Sequence, residues 1–266
     1  MARVSATIAL EGLAAVFVEV DGVAADTWPL HAAAWKRTFD EVLRRRARGR
    51  GGRFRPFDLR DDFRLMSGMS PPEAARAFAS SRSRDPTTGP LLPEGDGGEA
   101  VALLWDRKDR YYLDSLRTVG SAASASTAAL LAALRAAGVR TAAVSCDRGA
   151  AETVRAVGMA DLFDTVVDGR AAEGLSGARE RNRAVLTEAG RRLEVGLERT
   201  AALLSSVPAV HAAHGLGIPL VVAVDRNSAG NGVAAEALIT AWPGADAIVA
   251  DPAEITTSGA VAGPGL

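Results

Sequence analysis

Short Val- and Ala-rich segments alternate along this chain with helix-length stretches rich in Ala, Leu and Arg, and that alternation constrains the fold more than any other feature. The candidate strands are Ala14–Val20, Thr141–Ser145, Thr165–Val167, Ala201–Ser205, Leu220–Val224 and Ala247–Val249. Helical runs at Thr127–Ala137, Ala150–Val157, Arg181–Leu193 and Val207–His214 precede the middle strands. This is the pattern of an α/β fold with a parallel sheet. Gly138, Gly158 and Gly215 follow three of the helices, where a left-handed C-terminal cap suits glycine. An insertion, about residues 27–116 and helical at both ends, interrupts the pattern after the first strand. The expected division is therefore a core of residues 1–26 and 117–266, with a helical second domain at 27–116. Residues 80–99, rich in Ser, Gly, Pro and Asp, read as a mobile loop, and the tail after Asp251 as frayed. Open α/β sheets bind ligands at the C-terminal ends of their strands, where such a domain would sit.

The first strand ends in Glu19-Val20-Asp21. Period-2 alternation puts both carboxylates on the same side, facing one pocket. Charge points to no polyanionic partner: Lys+Arg (31) nearly balances Asp+Glu (32), so neither nucleic acid nor an anionic membrane is expected. The arginine run from Arg44 to Arg55 reads as a solvated helix end and loop. No uncharged run reaches spanning length, and Glu11, Glu19 and Asp21 come too early for a secretory leader. The single cysteine, Cys146, excludes an intramolecular disulfide and a multi-cysteine metal site, so a cytoplasmic protein is expected.

The stretch from Ala14 to Val23 resembles the first motif of the haloacid dehalogenase (HAD) superfamily. Asp26-Thr27, His31–Lys36, Arg107–Tyr111, Gly138–Thr141 and Ala160–Asp164 follow in order. From about Leu13 to Asp251 the chain is similar to the β-phosphoglucomutase-like branch. The resemblance implies a Rossmann-like parallel-sheet core with an inserted α-helical cap. It also implies roles. Asp21 matches the general acid/base, Ser145 the hydroxyl that bonds the transferring phosphoryl group, and Lys108 a cap lysine that binds sugar phosphate. Thr27 and His31 match hinge and cap-entry positions.

Other positions depart from the family. Its nucleophilic aspartate is Glu19 here, its motif lysine is Ala178, and its Mg²⁺-binding acids after the fourth core strand are Ser205 and Ser206. Pro71 stands where a cap arginine would grip the distal phosphate, and Ser124-Ala125-Ser126 replaces a Tyr-Pro-Gly turn. Mg²⁺ wants oxygen ligands at about 2.0–2.1 Å, normally including one or two carboxylates, and neutral serines are poor substitutes. A nucleophile displaced by roughly 1 Å costs about 100-fold on its own. Phosphoryl transfer depends mainly on positioning and charge neutralisation, so these exchanges strike its main supports.

Two readings follow from the resemblance. The first is a catalytically inactive HAD-fold protein that binds a phosphorylated small molecule or a protein partner, with no cofactor. The second is a divergent phosphatase or phosphomutase acting on a sugar phosphate, with Mg²⁺. Bland alternatives stand beside several residues. Ser145 either caps the helix near Arg148 or binds an anion, and Lys108 lies either on a solvated helix face or against substrate. Cys146 reads as a buried small residue, and His211 with His214 as a helix-surface pair.

Overall fold

The structure, a computed structural model, describes residues 6–50, 54–66, 69–83, 91–92, 98–226 and 240–259. Two compact units are present: the chain through Asp26 together with Ser121 onward, and Thr27–Gly120.

In the first unit, side-chain alternation along β2 (Ala15–Glu19) feeds two separate cores. Val16 and Val18 pack on one face with Leu130, Leu131, Leu134 and Val154. Ala15 and Phe17 pack on the other with Val185, Leu186 and Val210. Residues 15–18 are fully buried, and each large apolar side chain so buried contributes about 1.5–3 kcal/mol. A strand buried on both faces needs helices on both sides. They are α5 (Ala125–Ala136) and α6 (Ala150–Ala156) on one face, α7 (Ala178–Leu193) and α8 (Val207–Gly215) on the other.

The sheet adds β3 (Arg140–Val144), β4 (Thr165–Val167), β5 (Thr200–Leu204), β6 (Leu220–Val224) and β7 (Ala247–Val249) to β2. Its six parallel strands run in the order β4-β3-β2-β5-β6-β7. Register matters for the site. Glu19 pairs with Val144, and Val18 with Leu203, so β2, β3 and β5 end side by side.

The structure corrects several local expectations. The tail is not frayed at its start: β8 (Ile255–Ser258) pairs in parallel with β1 (Ala6–Ala9), burying Ile8 and Ile255. Four-residue strands with exposed Thr and Ser carry too little apolar pattern to announce themselves. Helix α8 ends on Gly215 itself, and the left-handed residue is Gly217, with φ 76°. Ser124, in place of the family's turn, caps α5 through a bond from the Thr127 amide at 3.3 Å.

The second unit contains α1 (Trp28–Arg50), α2 (Asp61–Met66), α3 (Pro71–Ser83) and α4 (Gly98–Thr118). Its core is aromatic. Phe39 lies 4.0 Å from Phe78 and 5.1 Å from Trp35 between ring centroids. Buried Asp40 accepts the Phe57 amide at 2.6 Å and pairs with Lys36 at 3.0 Å. Of the expected loop at 80–99, Ser80–Ser83 complete α3 and Gly98–Glu99 begin α4. Leu91 is buried in the aromatic core with Leu92 packed partly buried against it, and residues 84–90 and 93–97 lie outside the described residues. Of the arginine run, Arg44, Arg45, Arg46 and Arg48 lie in the C-terminal part of α1, where cations suit the helix dipole, and Arg45 pairs with Glu41 at 3.3 Å; Arg53 lies outside the described residues.

Candidate functional site

Side-by-side strand ends bring Glu19, Ser145 and Ser205 together. The carboxyl of Glu19 turns toward β5. Its Oε2 accepts the Ser205 amide at 2.6 Å, and Ser206 Oγ donates to Oε1 at 3.1 Å. Ser205 Oγ lies 3.2 Å from Oε2 and 2.6 Å from the Asp21 carbonyl oxygen. A serine hydroxyl has one hydrogen, and the shorter contact assigns it to the Asp21 carbonyl. Burial pushes the Glu19 pKa up to about 7 and the Asp21 charge adds to the rise, while the Ser205 amide and the Ser206 hydroxyl pull it back.

Asp21 turns the other way, toward β3. The strand stops at Glu19, so strict alternation does not extend to residue 21. Instead a tight turn follows, with Gly22 at φ 83° and its amide bonded to the Ala25 carbonyl at 2.9 Å. Ser145 Oγ donates to Asp21 Oδ2 at 2.8 Å and accepts the Asp147 amide at 3.0 Å. This corrects one of the two readings made for Ser145 from sequence, the helix cap. Helix α6 begins at Ala150 with no side-chain cap, so Ser145 does not cap it, and its hydroxyl hydrogen belongs to Asp21.

Glu19 and Ser145 line one narrow cleft with Val144, Asn182, Val185, Leu186 and Leu204. Ala178 opens helix α7 behind Gly177. Neighbouring Arg179 does not point into the cleft; its guanidinium lies beside Gly215 at the C-terminal end of α8. Burial pushes the Cys146 thiol up, with Glu19 second, so it stays protonated and inert.

In the second unit, Thr27 is buried and its carbonyl accepts the His31 amide at 3.0 Å. The His31 ring stacks on Tyr112 at 4.3 Å. Lys108 is not on a solvated face. It is 1% exposed, 3.4 Å from Asp109 Oδ1 and 5.4 Å from the centre of the Tyr112 ring. Pro71 opens α3 behind Ser70, whose amide and hydroxyl both bond Glu73 Oε2, at 3.0 and 2.7 Å. Proline suits that first helical position, so Pro71 has a structural reason of its own.

Three residues absent from the sequence reading matter here. Asp147 puts a carboxylate oxygen within 4.8 Å of one from Asp21. Arg226 bonds the Gly22 carbonyl at 2.7 Å and the Val23 carbonyl at 3.2 Å, bracing the turn. Arg181, 1% exposed, donates to the carbonyls of Ala172 at 2.7 Å and Gly169 at 3.2 Å and so ties down the loop after β4. A signal for Arg181 existed: it stands four and eight residues before buried Val185 and Ala189, on the inward stripe of α7. Asp147 and Arg226 sit in loops and had none.

A parallel sheet sandwiched by helices, broken after its first central strand by a helical insertion, with carboxylates at the strand ends, defines a HAD-type α/β protein. No family model matches the chain. It is 30% identical over 247 residues to the β-phosphoglucomutase of Mycobacterium bovis, covering 92% of each protein. The chain belongs to the β-phosphoglucomutase-like family of the HAD superfamily. It is also 33% identical over 242 residues to an uncharacterized glycosyl hydrolase of Mycobacterium tuberculosis, of which it spans only 17%. Among solved structures, CbbY from Rhodobacter sphaeroides in complex with phosphate matches with a TM-score of 0.62 at 20% identity, over 91% of this chain and 96% of that one. The β-phosphoglucomutase of Clostridium difficile matches with a TM-score of 0.64 at 16% identity, over 91% and 92%. Among the described residues no helix is long and apolar enough to cross a membrane.

Proposed function

We propose that this chain is a HAD-fold pseudoenzyme that binds a phosphorylated small molecule or a protein partner without turning over phosphate esters. One observation carries the reading: the carboxyl at the nucleophile position is held by Ser205 and Ser206 at 2.6 and 3.1 Å. A nucleophile needs a free lone pair aimed at phosphorus, and Glu19 has its oxygens turned to β5 instead. The residues present do not fit Mg²⁺. Both serines are neutral donors, and the acid hydrogen-bonded to them, Glu19, has its pKa pushed up to about 7 by burial. Charge neutralisation by a lysine at position 178 is lacking too, and Arg179 lies at the end of α8. The phosphorylated ligand is suggested by the phosphate complex of the structurally similar CbbY. Assaying a panel of sugar phosphates and a generic phosphate ester, with and without Mg²⁺, tests the reading; no turnover above background is expected. Metal-dependent hydrolysis that is lost in Asp21→Asn would sink it.

A second reading, a divergent phosphatase or phosphomutase, is favoured by the intact chain from Asp21 through Ser145 to the Asp147 amide. That chain holds a carboxylate where the family places its general acid/base. The same assay separates the two.

A further inference from the structure

At the end of β2, the oxygens that a divalent ion would take are already bonded to protons. We propose that Ser205 and Ser206 stand in for the cation, so that Glu19, Ser205 and Ser206 form a metal-independent lock joining the ends of β2 and β5. Ser205 Oγ donates to the Asp21 carbonyl at 2.6 Å, its amide donates to Glu19 Oε2 at 2.6 Å, and Ser206 Oγ donates to Oε1 at 3.1 Å. A cation taking Glu19 Oε1 and the Asp21 carbonyl oxygen would compete for those oxygens with the Ser206 and Ser205 hydrogens already bonded there.

Side-chain length fits the same scheme. An aspartate at position 19 would end one carbon–carbon bond, about 1.5 Å, short of the serine donors. Glutamate and the serine pair are thus matched to each other. The lock concerns what fills the cleft, and it stands or falls without any assay of turnover.

Thermal unfolding of the full chain tests it. The wild-type midpoint should be the same in EDTA and in millimolar MgCl₂ or MnCl₂. The double variant Glu19→Asp/Ser206→Asp, which shortens one arm and restores a carboxylate, should gain a saturable metal-dependent rise of several degrees. Ser206→Asp alone serves if the double variant does not fold. In a second arm, Glu19→Gln, Ser205→Ala and their combination form a double-mutant cycle, in which the two changes should be non-additive. Additive effects would overturn the lock. So would a saturable Mg²⁺ shift in wild type that vanishes in Glu19→Gln. A shift that survives Glu19→Gln but is lost in Asp147→Asn leaves the lock standing and places the cation at the Asp21–Asp147 pair.

Discussion

Glu19 is both enclosed and hydrogen-bonded, and the two effects oppose each other. Enclosure dominates, lifting its pKa from 4.5 to about 7. The consequence for stability has a definite sign. Between those values the folded state holds one proton more than the unfolded chain, so stability falls as pH rises from about 4.5 to about 7, by about 3 kcal/mol in total. Glu19→Gln keeps the shape and cannot ionise. We expect urea midpoints of this variant to be nearly flat across that window where wild type declines, and to exceed wild type at pH 8. Parallel profiles would show that Glu19 does not set the dependence. Arg181 poses the converse case, a cation whose burial is offset by carbonyl oxygens. Arg181→Met removes the charge but strands those carbonyls, and a loss of about 1–3 kcal/mol is expected in the same measurement.

At the scale of elements, the six strands of the sheet were legible because each is apolar over most of its length. Val144 and Val167, at the ends of β3 and β4, announce themselves by composition alone. The helix ends were less so. Gly215 and Gly217 are both glycines, and only the backbone says which one turns left-handed. Helix α7 closes without a glycine: Glu194 adopts φ 52° and ψ 44°. A side chain there costs about 1–2 kcal/mol that glycine avoids. Glu194→Gly should therefore raise the thermal midpoint, less the extra entropy glycine loses on folding. A lowered midpoint would mean that the Glu194 side chain makes a stabilising contact. The candidate site was legible only in part. Glu19, Asp21, Ser145, Ser205 and Ser206 were found from strand ends and family motifs. Their pairing was not, because the opposite turns of the two carboxyls depend on where β2 stops.

For the whole molecule, catalytic competence in this family is a property of several strand ends acting on one developing charge. Glu19 comes from β2, Ser206 from the end of β5 and Ala178 from the start of α7, all within the first unit. Groups that act as a unit are strongly non-additive, so restoring one leaves the transition state without its other supports. Glu19→Asp alone is expected to remain inactive on a small generic phosphate ester. It should also be less stable at low pH, since the shorter acid lets go of the Ser205 amide and Ser206 hydroxyl. Adding Ser206→Asp supplies a second carboxylate for Mg²⁺, and Ala178→Lys supplies a cation at the first turn of α7. Turnover by the triple variant should therefore be Mg²⁺-dependent and well above that of any single variant. Steady-state rates on such an ester, with and without Mg²⁺, make the comparison. Robust turnover by Glu19→Asp alone would show that Ser205 and Ser206 do not stand at the metal position, and the reading of this cleft as closed by serine would fall with it.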